Sequence, residues 1–341
     1  MIVKVLDKTY SPIGVLENIK SCQYKRNWST CSEFVVEMDG VSDLLLVDNV
    51  LVIEGKYGII EQLTITADEG GEHTEVRGRG LLSLLSRRIV AAKWSFSGLV
   101  PDAMTDVITA NLRGLEFSST VLTDGVVDEE AGDYTCDLGV NLMDKVENLA
   151  TAARLGFVES IVDGIPTITL KKGQTRQGWF ATENGTLLTK EYDHSKTTLK
   201  NVCYANNGSQ ENPITVTVGD ASGNDRYEHF LSEPVETDDE GTTRTEAEQT
   251  AMLTTKGQEA LSDLKEVESL ASTVNPYGQM EYKVDYDLGD YIVVKAPKWG
   301  VGLTPHITSI KEVWDQNGFT LEVSFGSTYL TLRQLIKKGV A

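Results

Sequence analysis

From Ile2 to about Thr66 apolar and polar residues alternate in the short runs "MIVKVL", "SEFVVEM", "VLVIEG" and "IIEQLTIT", separated by "SPIG", "DG" and "EGK". A period of two broken by Gly, Pro and Asp predicts short antiparallel strands joined by tight turns. After Gly80 the spacing changes. In "LLSLLSRRIV", Leu81, Leu82, Leu85 and Ile89 fall on one helical stripe with Arg87 and Arg88 near its end, so a helix is predicted to close this first unit.

Residues 96–192 have a different texture. The helical stretches "PDAMTDVITANL" and "NLMDKVENLATAARLG" mix with the strands "GFVESIV", "PTITLKK" and "GTLLTKEY". Pro101 suits the opening turn of the first helix and Gly156 the end of the second. This region reads as an α+β module inserted between two β units. Strands resume in "TLKNVCYAN" and "PITVTVG", and the polar, acidic "SEPVETDDEGTTRTE" reads as a mobile loop. A long helix over about 243–268 follows. Its apolar positions are Ala247, Met252, Leu253, Ala260, Leu261 and Leu264, with Gly257 as a weak point costing about 1 kcal/mol relative to Ala. Strands then return before a short basic helix over 330–341.

Two distant segments share one pattern. Setting "DEGG" at 68–71 against "DQNG" at 315–318 places Ile60 on Ile307, Leu63 on Ile310, Gly71 on Gly318, Glu75 on Glu322 and Val76 on Val323. Asp opening and Gly closing is ordinary hairpin-turn chemistry. The breaks "EGKYG" and "KAPKWG" occupy corresponding places, the second being longer, which a surface loop tolerates cheaply. An internal duplication of a β unit is therefore expected, with the copies differing around "KAPKWGVGLTP".

At 341 residues the chain is long enough for two or three domains, and no apolar run approaches the roughly 18 residues of a membrane helix, so no membrane insertion is expected. The first residues start a strand immediately, without the basic and apolar regions of a secretory leader. A net charge of −20 opposes nucleic-acid binding through phosphate contacts, yet suits a wall past which DNA must travel without adhering. Cys22, Cys31, Cys136 and Cys203 have no C-x-x-C spacing and read as buried or idle thiols.

No reactive constellation emerges. "VRGRGLLS" has glycines at 78 and 80 between a strand and a helix, but Ser83 holds the third small position and the neighbouring strands form hairpins, so a strand-to-helix turn is the reading. "DASGNDRYE" sets Asp220, Ser222 and Asn224 at alternating positions, but Asp225 and Leu231 stand where a calcium loop needs Gly and Glu, so a polar hairpin tip is expected. His73, His194, His229 and His306 have no metal-ligand spacing. Trp28, Trp94, Trp179, Trp299 and Trp314 lie on separate elements. Trp179 is read as core or domain-interface packing, with an exposed carbohydrate or partner platform as the alternative. Neither catalytic, cofactor-binding nor metal-binding residues are assigned, no cofactor is expected, and the chain is not read as an enzyme.

"VLDKTYSPIGVLENIKSCQYKRNWSTCSEFVVEM", "GIIEQLTIT" and above all "VRGRGLLSLLSRRIV" resemble the opening of siphophage tail proteins of Gram-positive hosts, in the group of baseplate hub and tail-associated proteins. The resemblance continues through the helix near Lys145, the strand after Pro166 and the terminal hairpin. It implies a β-rich α+β multidomain chain with two related antiparallel, tail-tube-like β-barrel domains. These would span 1–95 and 193–329, flanking the α+β insertion at 96–192. It further implies a homotrimer whose six barrels form a pseudo-sixfold ring in the virion tail, assembled in the host cytoplasm and joining the tail tube to other baseplate proteins. Many relatives extend into peptidase, lysozyme-like or fibre domains, whereas this sequence stops after "LIKKGVA". The alternatives are a cell-wall polysaccharide-binding module using Trp179 or Trp299, and a peptidoglycan hydrolase.

Overall fold

The computed structural model describes residues 1–121, 132–235, 237, 243–296 and 301–326. By contact they form two compact units, one of Met1–Glu191 with Ala271–Gly326 and one of Tyr192–Leu270. The helix expected over 330–341, Trp299 and most of the acidic stretch after Val235 lie outside the described residues.

The first unit opens with strands β1 (Val3–Leu6), β2 (Pro12–Val15), β3 (Ile19–Asn27), β4 (Glu33–Asp39), β5 (Val50–Ile53), β6 (Lys56–Asp68) and β7 (Gly71–Arg79). "SPIG", expected as a turn, is most of β2. Its Pro12 opens an edge strand, where a missing N–H costs no ladder bond. Between β5 and β6 the two turn residues Glu54 and Gly55 both take positive φ (48° and 79°), the backbone a two-residue hairpin requires. Leu81–Arg87 is a 3-10 helix, not an α-helix. Leu81, Leu82, Leu84 and Leu85 are all buried, so the segment is enclosed on more than one side and a single apolar stripe does not describe it.

The chain continues through β8 (Trp94–Gly98), α1 (Val100–Asn111), β9 (Ser118–Val121), β10 (Gly132–Cys136), α2 (Leu142–Ala152), β11 (Leu155–Val162), β12 (Ile165–Lys172), β13 (Thr175–Phe180) and β14 (Leu187–Ser195). Pro101 stands in the first turn of α1, as expected. Asn141 caps α2, its side chain accepting hydrogen bonds from the Met143 and Asp144 amides. Gly156 does not end this helix. Arg154 takes the left-handed conformation instead (φ 55°), and Gly156 lies in β11, where a Cβ would come within 2.3 Å of the Trp28 ring. Residues of α1, α2 and the 3-10 helix share one apolar cluster with Leu6, Val50 and Ile59 of the first strands.

The second unit holds β15 (Val202–Asn206), β16 (Thr215–Val218), β17 (Glu228–Ser232) and α3 (Glu246–Asp263). Thr245 and Glu248 form a reciprocal capping box that fixes the start of α3. Gly257 is a close-approach position, since a Cβ would meet Val218 Cγ2 at 2.8 Å as the helix packs on β16. The order β16-β15-β17, with β15 and β17 parallel, makes residues 219–227 a crossover past the end of β15 and corrects the expected hairpin tip.

The chain re-enters the first unit within β18 (Val267–Val274) and continues through β19 (Tyr291–Ala296), β20 (Val301–Leu303), β21 (Ile307–Asp315) and β22 (Gly318–Gly326). Of these, β18, β21 and β22 complete an eleven-stranded sheet of order β14-β18-β22-β21-β3-β4-β7-β6-β5-β1-β2, while β19 and β20 form a three-stranded sheet with β13. The first and last β regions therefore share one sheet, joined where β21 pairs with β3. Among the described residues no sheet closes on itself, so the expected barrels are not present as closed barrels. Each half nevertheless has its own core. Val5, Tyr24, Phe34, Ile53, Ile60 and Val76 fill one. Phe180 centres the other, edge-on to Tyr286 at 4.9 Å and to Phe325 at 5.5 Å.

Candidate functional site

The two segments matched in the sequence are matched in three dimensions by hydrogen-bond register. Leu63 pairs with Val76 and Asp68 with Gly71, while Ile310 pairs with Val323 and Asp315 with Gly318, a uniform shift of 247. The β-bulges agree as well, falling between Ile60 and Gln62 in β6 and between Ile307 and Ser309 in β21, again 247 apart. Both turns are built alike. Asp68 Oδ1 accepts from the Gly70 amide and Asp315 Oδ1 from the Asn317 amide, each at 2.7 Å, and Gly71 and Gly318 take φ of 117° and 110°. Generic turn chemistry explains the turns, but not a bulge at the same offset.

The copies differ where expected. Val50 pairs with Ile59 in the first, and Tyr291 bridges His306 in the second, so the partner strand shifts by 241 and the second hairpin is six residues longer. The equivalent hairpins flank the β3–β4 pair, β7 bonding to β4 and β21 to β3.

A buried polar chain crosses this seam. Lys56 Nζ lies 2.7 Å from Glu312 Oε2, with side-chain exposures of 11% and 2%. Tyr282 donates to Glu312 Oε1 at 2.8 Å, and Arg26 Nη2 donates to the Tyr282 hydroxyl and to Asp287 Oδ1. The Lys56 ammonium also sits over the Tyr24 and Trp314 rings, at 5.6 and 5.1 Å. Burial lowers the Lys56 pKa, against the pull of Glu312. Burial also works against the Asp287 carboxylate, yet Arg26 beside it holds its pKa below the usual range. None of these five residues drew notice in the sequence. The available signal was Glu312, a charge between Ile310 and Trp314 at an inward position of an alternating strand.

Trp28 anchors a second junction. Its indole N–H donates to the Arg154 carbonyl at 3.0 Å, its ring meets His306 edge-on at 5.3 Å, and Gly156 and Gly289 both leave room for it. Trp94 is buried too, but Trp179 is 47% exposed with Lys295 Nζ 4.3 Å from its ring centre, so the interior position expected for it is not found.

The glycines of "VRGRG" serve close packing. A Cβ on Gly78 would lie 1.8 Å from the Ile59 carbonyl oxygen, and one on Gly80 2.2 Å from the Glu159 carboxylate. Glu159 Oε1 accepts from the Leu82 amide at 2.8 Å, so the chain's own carboxylate occupies the start of the 3-10 helix where a dinucleotide reading would seat a phosphate. Gly78→Ala is expected to destabilise by about 1–3 kcal/mol or more, because backbone must move to admit the methyl. Thermal unfolding at an unchanged midpoint would contradict this.

Burial raises the pKa of both Glu159 and Glu147 to about 7 from 4.5, the latter although it accepts a hydrogen bond from the Cys31 amide. The folded state then binds more protons than the unfolded state between about pH 4.5 and 7. Stability present below that window is lost as pH rises through it, by at most about 1.4 kcal/mol per pH unit for each group. The melting temperature is expected to be higher at pH 5 than at pH 8, and Glu147→Gln with Glu159→Gln should flatten the difference. An equal slope in the double variant would contradict the assignment.

The described residues contain no group of His, Cys, Asp and Glu side chains able to hold a metal ion. His73 sits between Asp39 and Asp68 at the first hairpin tip, and His194 pairs with Glu266. All four cysteines are free and buried. Among the described residues no helix is long and apolar enough to cross a membrane.

A family model described as siphovirus ReqiPepy6 Gp37-like protein matches residues 2–327. The chain belongs to this siphovirus Gp37-like family. Solved tail proteins share the fold across nearly the whole chain. The 43 kDa tail protein of prophage MuSo2 from Shewanella oneidensis is 14% identical, with a TM-score of 0.62 over 95% of this chain and 97% of that one. A tail protein from Neisseria meningitidis MC58 is 12% identical, with a TM-score of 0.63 over 96% of each. Prophage tail protein gp18 of Listeria monocytogenes EGD-e is 11% identical, with a TM-score of 0.58 over 99% and 98%. No curated protein matches the chain by sequence.

Proposed function

We propose that the chain is a non-enzymatic structural component of a phage or prophage tail, acting as the baseplate hub at the distal end of the tail tube. Three copies form a pseudo-sixfold ring that joins the tube to host-facing parts. The observation that carries this reading is the pair of hairpins matched bulge for bulge at a shift of 247, which gives each chain two equivalent β units. Three chains then offer six such units to a sixfold tube and a threefold platform below. In this reading 1–95 and the β21–β22 part of 193–329 supply the tube-like, barrel-related units, with 96–192 between them. Strand edges are covered by neighbouring subunits, which removes an aggregation hazard. The net charge of −20 favours passage of DNA without adhesion.

Immunogold labelling of virions tests the placement. Label confined to the distal tail end, together with loss of completed tails when the gene is deleted, is the expected result. Label along the whole tube, or intact virions lacking the chain, would overturn it.

A second reading, binding of a cell-wall polysaccharide, rests on the half-exposed Trp179 with Lys295 across its ring. Trp179→Ala should abolish cell-wall pull-down if it holds, and leave pull-down unchanged if Trp179 serves only packing.

A further inference from the structure

In a chain of net charge −20, four cationic side chains converge on one small cavity. The cavity, about 200 Å³, lies within the first unit between β3, the β5–β6 turn, β11, β12 and the segment before β19, and Arg26, Lys56, Lys171 and Lys283 line it with Thr30 and Ser32. Two of the cations are committed, Lys56 to Glu312 and the Arg26 Nη2 to Asp287. Among the described residues the other two have no carboxylate within ion-pair distance, although Asp287 and Asp290 attract Lys171 from farther off. Lys171 rests on the Trp28 ring at 5.3 Å and Lys283 on the Tyr282 ring at 5.3 Å. Arg26 adds a third free donor, since its Nε–H is buried without an acceptor. Glu54 and Glu159 also reach the lining, but Glu159 is engaged with the Leu82 amide and Glu54 with the Ile2 amide.

A buried guanidinium N–H left unpaired is costly, and an ammonium held near others of its sign in a partly enclosed space is destabilised until an anion joins it. The lowered pKa of Lys171, caused mainly by burial, is in keeping with that strain. We propose that this cavity is a binding site for a single small oxyanion of the phosphate or sulfate class, held by Lys171, Lys283 and the Arg26 Nε–H. Its volume is below the roughly 300–1,000 Å³ of clefts that take drug-sized ligands, so it admits an inorganic ion with water and excludes a nucleotide or a duplex backbone. The ion would tie β3, β12 and the segment before β19 together at the seam already crossed by the Lys56–Glu312 chain.

The test is isothermal titration of the full-length protein with inorganic phosphate and with sulfate at low ionic strength, beside a short DNA duplex and the Lys8→Ala control on an exposed turn. Saturable binding of one phosphate or sulfate ion per chain, with none of the duplex, is expected. Lys171→Met should weaken it about tenfold or more, the loss of one charged hydrogen bond, and Lys8→Ala should leave it unchanged. Lys283→Asn gives a second variant that keeps the fold, because asparagine tolerates the left-handed backbone there (φ 70°). Absence of saturable binding up to about 10 mM, an affinity near −3 kcal/mol, or binding indifferent to both lysine variants, would overturn the assignment.

Discussion

Trp28→Ala is expected to lower the stability of the first unit by about 3–5 kcal/mol, the range for emptying an indole site in a packed core. The side chain is 3% exposed, and the two glycines beneath it have no side chain with which to fill the space. The substitution also removes the hydrogen bond to the Arg154 carbonyl and the platform under Lys171. Trp179→Ala, at a half-exposed position, should cost below about 1 kcal/mol. Urea unfolding followed by far-ultraviolet circular dichroism compares the two, with the transition of each compact unit fitted separately. Equal losses would show that Trp28 is not the anchor described.

Glu312→Ala should be comparably severe, about 3–5 kcal/mol, because it leaves the Lys56 ammonium buried without its counter-charge and the Tyr282 hydroxyl without an acceptor. The informative comparison is Lys56→Met with Glu312→Leu in one chain. Removing both charges should recover most of the loss, since a buried pair gains little over apolar side chains of similar size. A double variant as unstable as Glu312→Ala alone would mean that the pair itself, rather than the stranded charge, holds the seam.

Much of this fold was legible in the alternation of the sequence. Strands at "VLVIEG", "IIEQLTIT" and "PTITLKK", the helices at 100–111 and 246–263, and the hairpin match between Gly71 and Gly318 all follow from local period and turn chemistry. What was not legible is long-range. Nothing near Ile307 reports that β21 pairs with β3, which puts strands of the two expected barrels in one sheet that does not close among the described residues. "LLSLLSRR" has helical spacing whether it winds as an α-helix or a 3-10 helix, and enclosure by neighbours decides. Gly156 looked like a helix end because a glycine after a helix usually is one, whereas its reason is the Trp28 ring, 128 positions away in the chain. The Arg26–Tyr282–Glu312–Lys56 chain joins residues up to 256 positions apart, and only the inward place of Glu312 in its strand hinted at it.

The central claim is that the duplicated hairpins make each chain two equivalent units of a ring. Cryo-electron microscopy of the intact tail end tests it most directly. The account predicts three copies around the tail axis, with residues 56–79 and 307–326 alternating at one radius and height as six matching hairpins. Hairpins at two different radii, or a copy number other than three, would contradict it.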